Sequence, residues 1–528
     1  MDGCLLKMNG MNKIIQITGI VLFLSLTACS DKLDIVPTGK IPTSELYKTV
    51  DGAMTAMNGI YRSLAAPGWT SSNLEQSWGI MSNNLLEDLM GEDMVQREEG
   101  NGWYWYQYSY NVRQYNVGKS WTCYEIWNMW YSTINQTNEL IAYTPAATGA
   151  VQAKNNVLGQ AYAMRALGYF NLIRWFQRTY VGHQQDPGVP IYTEPTTRHT
   201  VGKDRGTVEK VYKRINDDLD SAQYHFENSE KQLHKSHIDK YVVYGLKSRV
   251  ALVQEHWTDA AIYAEKAREK EGLALMEESE LFAGFNKIGN NEWMWGMEIS
   301  DNQATTFATL WAHVDARLPM HAATSRKLIS SWLYKMIYPS DVRRRWFVDP
   351  SSISDAEEAA SKSGEKVRYN QHKFYVPMIG SLAGDYIYMR AAEMLLNEAE
   401  ARCRLGEYPK VRELLNELMQ YKNPVYSSLL SSIPDGKVQT LLSTESSVIS
   451  NLLDEVLVQR RIELWGEGFR LFDIVRLKSG MDRRYAGSNH PVKVREKPDS
   501  WAHTLLIPQS EFDGNINLNE ERDQNPIR

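Results

Sequence analysis

Residues 244–267 read YGLKSRVALVQEHWTDAAIYAEKA, and the spacing of small and aromatic residues in this stretch indicates two packed helices. Ser248 supplies a small residue on the first helix, Trp257 an aromatic residue at the turn, and Ala260 and Ala267 small residues on the second helix. Small side chains at these positions allow two helices to pack closely. Such a pair still has an apolar face, so it must stack on another pair to bury that face.

This spacing is similar to that of a tetratricopeptide repeat. The stretch 390–419 repeats it with Ala399, Gly406 and Tyr408, although larger residues replace the two alanines of the second helix. Helical periodicity predicts further helices at 127–141, 159–176 and 208–226, and short β elements are expected at 188–192 and 504–508. The expected fold class is therefore mostly α, with tetratricopeptide-like helix pairs forming a scaffold that carries long aromatic-rich loops and a few short β elements.

The composition excludes several classes of protein. In 528 residues, 43% are hydrophobic and 23% are charged, so there is enough apolar material for a folded core. A net charge of -6 offers no basic surface for nucleic acid. Four cysteines in so long a chain cannot form a disulfide framework, and Cys123 and Cys403 are expected to be free buried thiols.

The N-terminus has the pattern of an export signal. Lys13 precedes an apolar run at 14–26 that is short for a membrane span. The run ends at Leu26-Thr27-Ala28-Cys29, which resembles a bacterial lipobox. We therefore expect residues 1–28 to be a lipoprotein signal peptide, Cys29 to carry lipid, and 29–528 to form one helical domain that includes a loop-rich ligand-binding part.

The aromatic residues are the strongest functional signal. There are 16 Trp and 29 Tyr but only 12 Phe, which favours rings with a polar group at binding surfaces. A flat indole or phenol can cover the C–H face of a sugar, and nearby amides and carboxylates can read its hydroxyl groups. The loops at 67–119 and 282–320 contain the clusters, whereas Trp127 and Trp130 are expected in the core. The candidate ligand-binding residues are Trp78, Asn83, Trp103, Tyr104, Trp105, Trp293, Trp295 and Trp311.

One charged cluster invites a catalytic interpretation. Glu463 and Glu467 are four residues apart and share a helix face, as a pair of glycosidase carboxylates could. The arginines that surround them in sequence would depress both pKa values and spoil a general acid. The sequence therefore predicts a structural ion network and no catalytic residue.

Metal sites have little support in the sequence. His234 and His237 lie near Asp239, but no further ligand stands close by. Four carboxylates could hold calcium, although a solvated acidic turn is the stronger interpretation of Glu87, Asp88, Glu92 and Asp93. The sequence predicts neither a metal ion nor a cofactor.

Several segments in fixed order resemble the SusD/RagB family of outer-membrane nutrient-binding lipoproteins. They are CSDKLDI at 29–35, AYAMRA at 161–166, GVPIY at 188–192, YMRAAE at 388–393, QRRIEL at 459–464, EGFRLFD at 467–473, LLIPQSE at 505–511 and QNP at 524–526. The resemblance implies four tetratricopeptide-like helix pairs and a lipid-anchored lid over a SusC-like TonB-dependent transporter, with an oligosaccharide-binding surface facing the cell exterior. The aromatic loops match no particular member, so no ligand residue carries over.

The resulting hypothesis is a non-catalytic, surface-exposed glycan-binding lipoprotein that delivers nutrient to its transporter. Three alternatives stay open at this point: a peptide-binding member of the same family, a glycoside hydrolase on a helical scaffold, and a repeat scaffold that binds only proteins.

Overall fold

A computed structural model describes residues 43–71, 74–111, 118–229, 234–304, 306–361, 366–441, 444 and 448–527. The predicted signal peptide 1–28 and the predicted lipidation site Cys29 lie outside the described residues. Within the described ranges, no helix has the length and apolarity needed to cross a membrane.

Helices make up most of the regular secondary structure, as the sequence predicts. They are α1 (Thr43–Leu46), α2 (Val50–Ser63), α3 (Ile80–Leu89), α4 (Trp105–Tyr108), α5 (Trp121–Tyr143), α6 (Val151–Phe176), α7 (Val208–Glu227), α8 (Lys240–Gln254), α9 (Trp257–Arg268), α10 (Glu278–Leu281), α11 (Leu310–Val314), α12 (His321–Thr324), α13 (Ser331–Met336), α14 (Asp355–Ala360), α15 (Ala391–Leu405), α16 (Tyr408–Met419), α17 (Tyr426–Ser431), α18 (Leu452–Glu463), α19 (Arg470–Arg476), α20 (Gln509–Gly514) and α21 (Glu520–Asp523). Short 3-10 turns occur at Leu74–Gln76, Thr144–Ala146, Val342–Trp346 and Trp501–His503.

The long helices stack side by side in one layer. Neighbours in this layer follow the order α5, α6, α7, α8, α9, α15 and α16, and α18 packs on α15. The pairs α8–α9 and α15–α16 are the two that the sequence predicts from tetratricopeptide-like spacing, and both are confirmed.

Small residues at the contacts allow this packing. The Ser248 hydroxyl donates to the Ala260 carbonyl across the α8–α9 contact, at 3.0 Å, and Ala260 and Ala267 are fully buried. Gly168 of α6 faces Ile134 of α5 so closely that a Cβ would lie 2.9 Å from its side chain. Gly406 ends α15 in the left-handed region, with φ of 85°, where glycine is favoured.

Three two-stranded antiparallel sheets lie among the loops. They are formed by β1 (Met94–Gln96) with β3 (Lys327–Ile329), β2 (Trp293–Met297) with β4 (Tyr386–Arg390), and β5 (Met481–Asp482) with β6 (Arg495–Glu496). The strands expected at 188–192 and 504–508 do not form, although both segments are described. The segment 67–119, which we predicted to be irregular, contains α3 and β1.

The charged cluster is a buried ion network, as predicted, but its cations come from elsewhere in the chain. Glu463 contacts Arg343 at 2.8 Å and Arg390 at 2.7 Å, and Glu467 contacts Arg390 and Lys373. Burial raises the pKa of Glu463, but the surrounding cations, Lys422 and Arg390 first, outweigh burial and hold the pKa well below its usual range. The cluster joins α15 and α18 to the loops around them.

The acidic segment at 87–93 differs from the expected solvated turn. Glu87, Asp88, Glu92 and Asp93 are all buried. Glu92 and Asp93 pair with Arg461 and Arg470, and the Asp88 carboxylate accepts from the backbone N–H of residues 468–470. These carboxylates therefore hold α3 against the C-terminal part of the chain. Cys123 and Cys403 are buried thiols outside any disulfide, which confirms that prediction.

Candidate functional site

The β1–β3 ladder brings the two aromatic-rich loops together. Met94 pairs with Ile329, and the ladder continues with the N–H of Arg97, which donates to the carbonyl of Arg326 at 3.0 Å. The Gln96 amide then donates to the carbonyl of Trp103, also at 3.0 Å. The loop that carries Trp103 therefore lies beside the segment that contains α12.

An aromatic surface forms where these segments meet. Trp103 packs edge-on against His321 with ring centroids 5.8 Å apart, and Phe307 does the same at 6.0 Å. Trp103 is partly exposed and Phe307 is 50% exposed. We call Trp103, Phe307 and His321 the aromatic platform. It offers apolar ring surface to solvent, and a planar apolar ligand face can pack there.

A buried histidine lies beneath the platform. The ring of His313, on α11, stacks with His321 at 4.7 Å and with Trp78 at 6.0 Å, and Tyr104 meets it edge-on at 5.1 Å. Burial lowers the pKa of His313 well below its usual value, and neighbouring His321 lowers it further. His313 is therefore neutral at pH 7 and has one lone-pair ring nitrogen.

Glu75 supplies the polar edge of the platform. Its side chain is 26% exposed, and one carboxylate oxygen lies 2.9 Å from His321 Nε2. Its backbone carbonyl accepts from the Trp78 indole at 3.1 Å and lies 2.7 Å from His313 Nε2. The turn Leu74–Gln76 thus connects both histidines and orients a carboxylate toward solvent beside exposed rings.

Most of the aromatic residues predicted to bind ligand are core residues. Six of the eight candidates are buried: Trp78, Asn83, Tyr104, Trp293, Trp295 and Trp311. Trp78 and Tyr104 form the floor around His313, and the Trp311 indole donates to the Gly384 carbonyl at 2.8 Å. These rings cannot stack on a ligand in this conformation, so the expectation that they are accessible does not hold.

Trp293 and Trp295 lie on β2, which the rest of the chain covers. The strand pairs with β4, and Trp295 packs against Tyr388 at 4.9 Å. Trp103 and Trp105 are the two predicted residues that stay partly exposed, and Tyr106 beside them is 41% exposed.

Sequence reasoning missed Phe307, His321, His313 and Glu75. Phe307 lies between Thr306 and Ala308, and the nearest other ring in the sequence is Trp311, so no cluster of rings marks it. Glu75 and His321 are 246 positions apart, so no local spacing relates them. The proximity of two aromatic loops to α11 and α12 could be found only in three dimensions.

A second concave surface lies on the helix layer. This side cleft, of about 390 Å³, lies between α5, the segment 192–202 and α20. Its ring surface comes from Tyr124, which is 40% exposed, and Tyr131. Most of its amides already bond the protein: Asn138 donates to the carbonyls of Tyr192 and Glu194, for example. The side cleft therefore offers fewer free polar groups than its composition suggests.

The stacked helix pairs and the loop-built aromatic platform define a helical-repeat scaffold protein with an exposed aromatic surface. The chain belongs to the SusD/RagB family. Residues 70–252 match a family profile described as "Starch-binding associating with outer membrane", and residues 355–526 match the SusD family profile.

Known relatives and solved structures agree with this assignment. A SusD-like protein of Formosa agariphila, P38, is 22% identical over 509 residues, which cover 89% of this chain and 92% of the relative. The crystal structure of a SusD-like carbohydrate-binding protein from Bacteroides vulgatus is 26% identical with a TM-score of 0.72, and the match covers 91% of this chain and 99% of that one. A laminarin-binding SusD-like protein has the same fold, with a TM-score of 0.63 at 18% identity over 91% of this chain and all of that one.

Proposed function

We propose that this protein is a non-catalytic glycan-binding lipoprotein of the outer membrane that captures an oligosaccharide and passes it to a TonB-dependent transporter. The family descriptions and the carbohydrate-binding relative support glycan as the ligand class. The geometry that carries the proposal is the convergence of Trp103 and Phe307, from two distant loops, on His321.

The chemistry of the platform suits a sugar. A pyranose presents C–H groups on one face and hydroxyl groups around its edge. Trp103 and Phe307 offer exposed ring surface for the C–H face, and the Glu75 carboxylate lies beside them as an acceptor for hydroxyl groups. Rings with two side-chain torsions lose little conformational entropy when a ligand packs on them.

The state of the acidic residues supports binding without turnover. Glu463 and Glu467, the pair that a glycosidase mechanism would need, are buried and held by arginine and lysine side chains. The Glu463 side chain is fully buried, and only 5% of the Glu467 side chain is exposed. We therefore expect a labelled oligosaccharide to be bound and recovered intact.

The test is isothermal titration of the chain from Ser30 onward against plant, host and microbial polysaccharides. For the glycan that binds, Phe307→Ala and Trp103→Ala should each weaken affinity by about 1–3 kcal/mol, roughly 5- to 150-fold, because each removes ring surface at the centre of the site. Tyr124→Ala in the side cleft is the matched control and should leave affinity unchanged. If only Tyr124→Ala weakened binding, the site would lie in the side cleft. If no polysaccharide in the panel bound, a peptide would be favoured as the ligand.

A further inference from the structure

Three side chains at the platform, one of which is the platform residue His321, together resemble a metal centre. A carboxylate oxygen of Glu75, a ring nitrogen of His313 and a ring nitrogen of His321 all lie within 4.8 Å of one another. They come from the Leu74–Gln76 turn, α11 and α12. Two imidazoles with one carboxylate form a ligand set that zinc sites use.

The hydrogen bonds of His313 prepare it to be a ligand. Its Nε2 lies 2.7 Å from the Glu75 carbonyl, so the ring hydrogen lies on Nε2 and the lone pair on Nδ1. Nδ1 is buried and has no hydrogen-bond partner among the described residues. A buried, unsatisfied acceptor destabilises a protein, whereas a ligating histidine with its other nitrogen on a carbonyl is the usual arrangement at a metal.

The other two ligands are accessible to an incoming ion. His321 and Glu75 keep 10% and 26% of their side-chain surface exposed, and His321 Nε2 already lies 2.9 Å from the Glu75 carboxylate. Ligand atoms of one tetrahedral zinc ion are about 3.3 Å apart, given bond lengths near 2.0–2.2 Å. The three ligand atoms, which lie within 4.8 Å of one another, would come closer together to reach that spacing around one ion.

We propose that Glu75, His313 and His321 bind a divalent ion of the zinc class, with a fourth coordination position open toward the aromatic platform. Imidazole nitrogens favour zinc and its neighbours over calcium or magnesium, which prefer all-oxygen sites. The ion would tie the Leu74–Gln76 turn to α11 and α12 and thereby fix His321, on which Trp103 and Phe307 pack. Metal binding requires no glycan, so this inference stands independently of the proposed function.

The experiment measures zinc directly on tag-free protein from Ser30 onward. After dialysis against zinc and removal of free metal, elemental analysis should find one zinc ion per chain. Titration with ZnCl2 should give a single site, and excess calcium should not displace the ion. Cobalt in place of zinc should show visible absorption typical of tetrahedral nitrogen and oxygen ligands.

Variants locate the site. His321→Ala and Glu75→Gln should each weaken zinc affinity at least tenfold, and thermal melts would check that both variants fold. His234→Ala is the matched control, because His234 is 52% exposed and lies 3.5 Å from Glu298 in another histidine–carboxylate pair. The control should bind zinc as the parent does. Absence of zinc from the parent, or equal binding by all three variants, would overturn the proposal.

Discussion

At the scale of single residues, Asp473 shows how a buried charge makes stability depend on pH. Its carboxylate accepts from Arg460 and from Arg476, each at 2.7 Å. Burial raises its pKa, but the two arginines outweigh burial and bring it from 3.8 to about 2. A carboxylate with a depressed pKa stabilises the folded protein above its unfolded-state pKa, and that contribution is lost as the pH falls toward 2.

We predict that the parent loses about 2 kcal/mol of this stabilisation between pH 5 and pH 2, so its melting temperature falls steeply with acid. Asp473→Asn should melt lower than the parent at pH 7, because Arg460 and Arg476 lose their shared charge partner, but its melting temperature should depend less on pH. Asp204→Asn, at a side chain that is 75% exposed, is the control and should follow the parent. If the melting temperatures of the parent and Asp473→Asn fell equally with acid, Asp473 would not be the source of this pH-dependent stability.

At the scale of helices, one pair of glycines tests whether close approach stabilises the layer. Gly168 of α6 has no room for a Cβ beside Ile134, whereas Gly59 of α2 has nothing within 4 Å of that position. Glycine in a helix interior costs about 1 kcal/mol relative to alanine, so Gly59→Ala should raise the melting temperature. Gly168→Ala should lower it, because overpacking costs about 1–3 kcal/mol and outweighs the helical gain. Thermal melts of both variants test this prediction. A higher melting temperature for both variants would mean that α5 and α6 can move apart to accommodate the added methyl group.

The helix pairs could be predicted because their signals are local. Ser248 of α8 contacts Ala260 of α9, which is only 12 positions further along the chain, and Trp257 lies at the turn between them. Spacing alone therefore identifies this contact between the two helices. Exposure of the aromatic residues could not be predicted in this way. Trp295 is covered by Tyr388 and Trp311 by the backbone at Gly384, and each partner lies more than seventy positions away. A tryptophan-rich loop therefore has the same appearance in sequence whether its rings face solvent or the core.

In the whole molecule, the layer of helices and the aromatic platform are separate parts, and different residues build each of them. The helix layer is held by small residues and apolar contacts between sequential neighbours. The platform residues Trp103, Phe307 and His321, with Glu75 beside them, belong to no helix pair. Loop residues of the platform can therefore change without altering the scaffold, and this separation suits a family whose members share a fold across low sequence identity.

We propose that the position of the molecule in the cell depends on an N-terminal residue outside the described part. We predict that Cys29 is the lipid-modified first residue of the mature protein, since it follows the apolar run 14–26 and a Leu-Thr-Ala segment. Cys29→Ala should move the protein from the outer-membrane fraction to the soluble fraction, because nothing else in the sequence suggests an acyl anchor. Cys123→Ala is the control: this thiol is buried, so the variant should stay in the membrane. Fractionation followed by mass spectrometry of the N-terminal peptide measures both outcomes, and a membrane-bound Cys29→Ala protein would show that another contact, such as the transporter, holds it there.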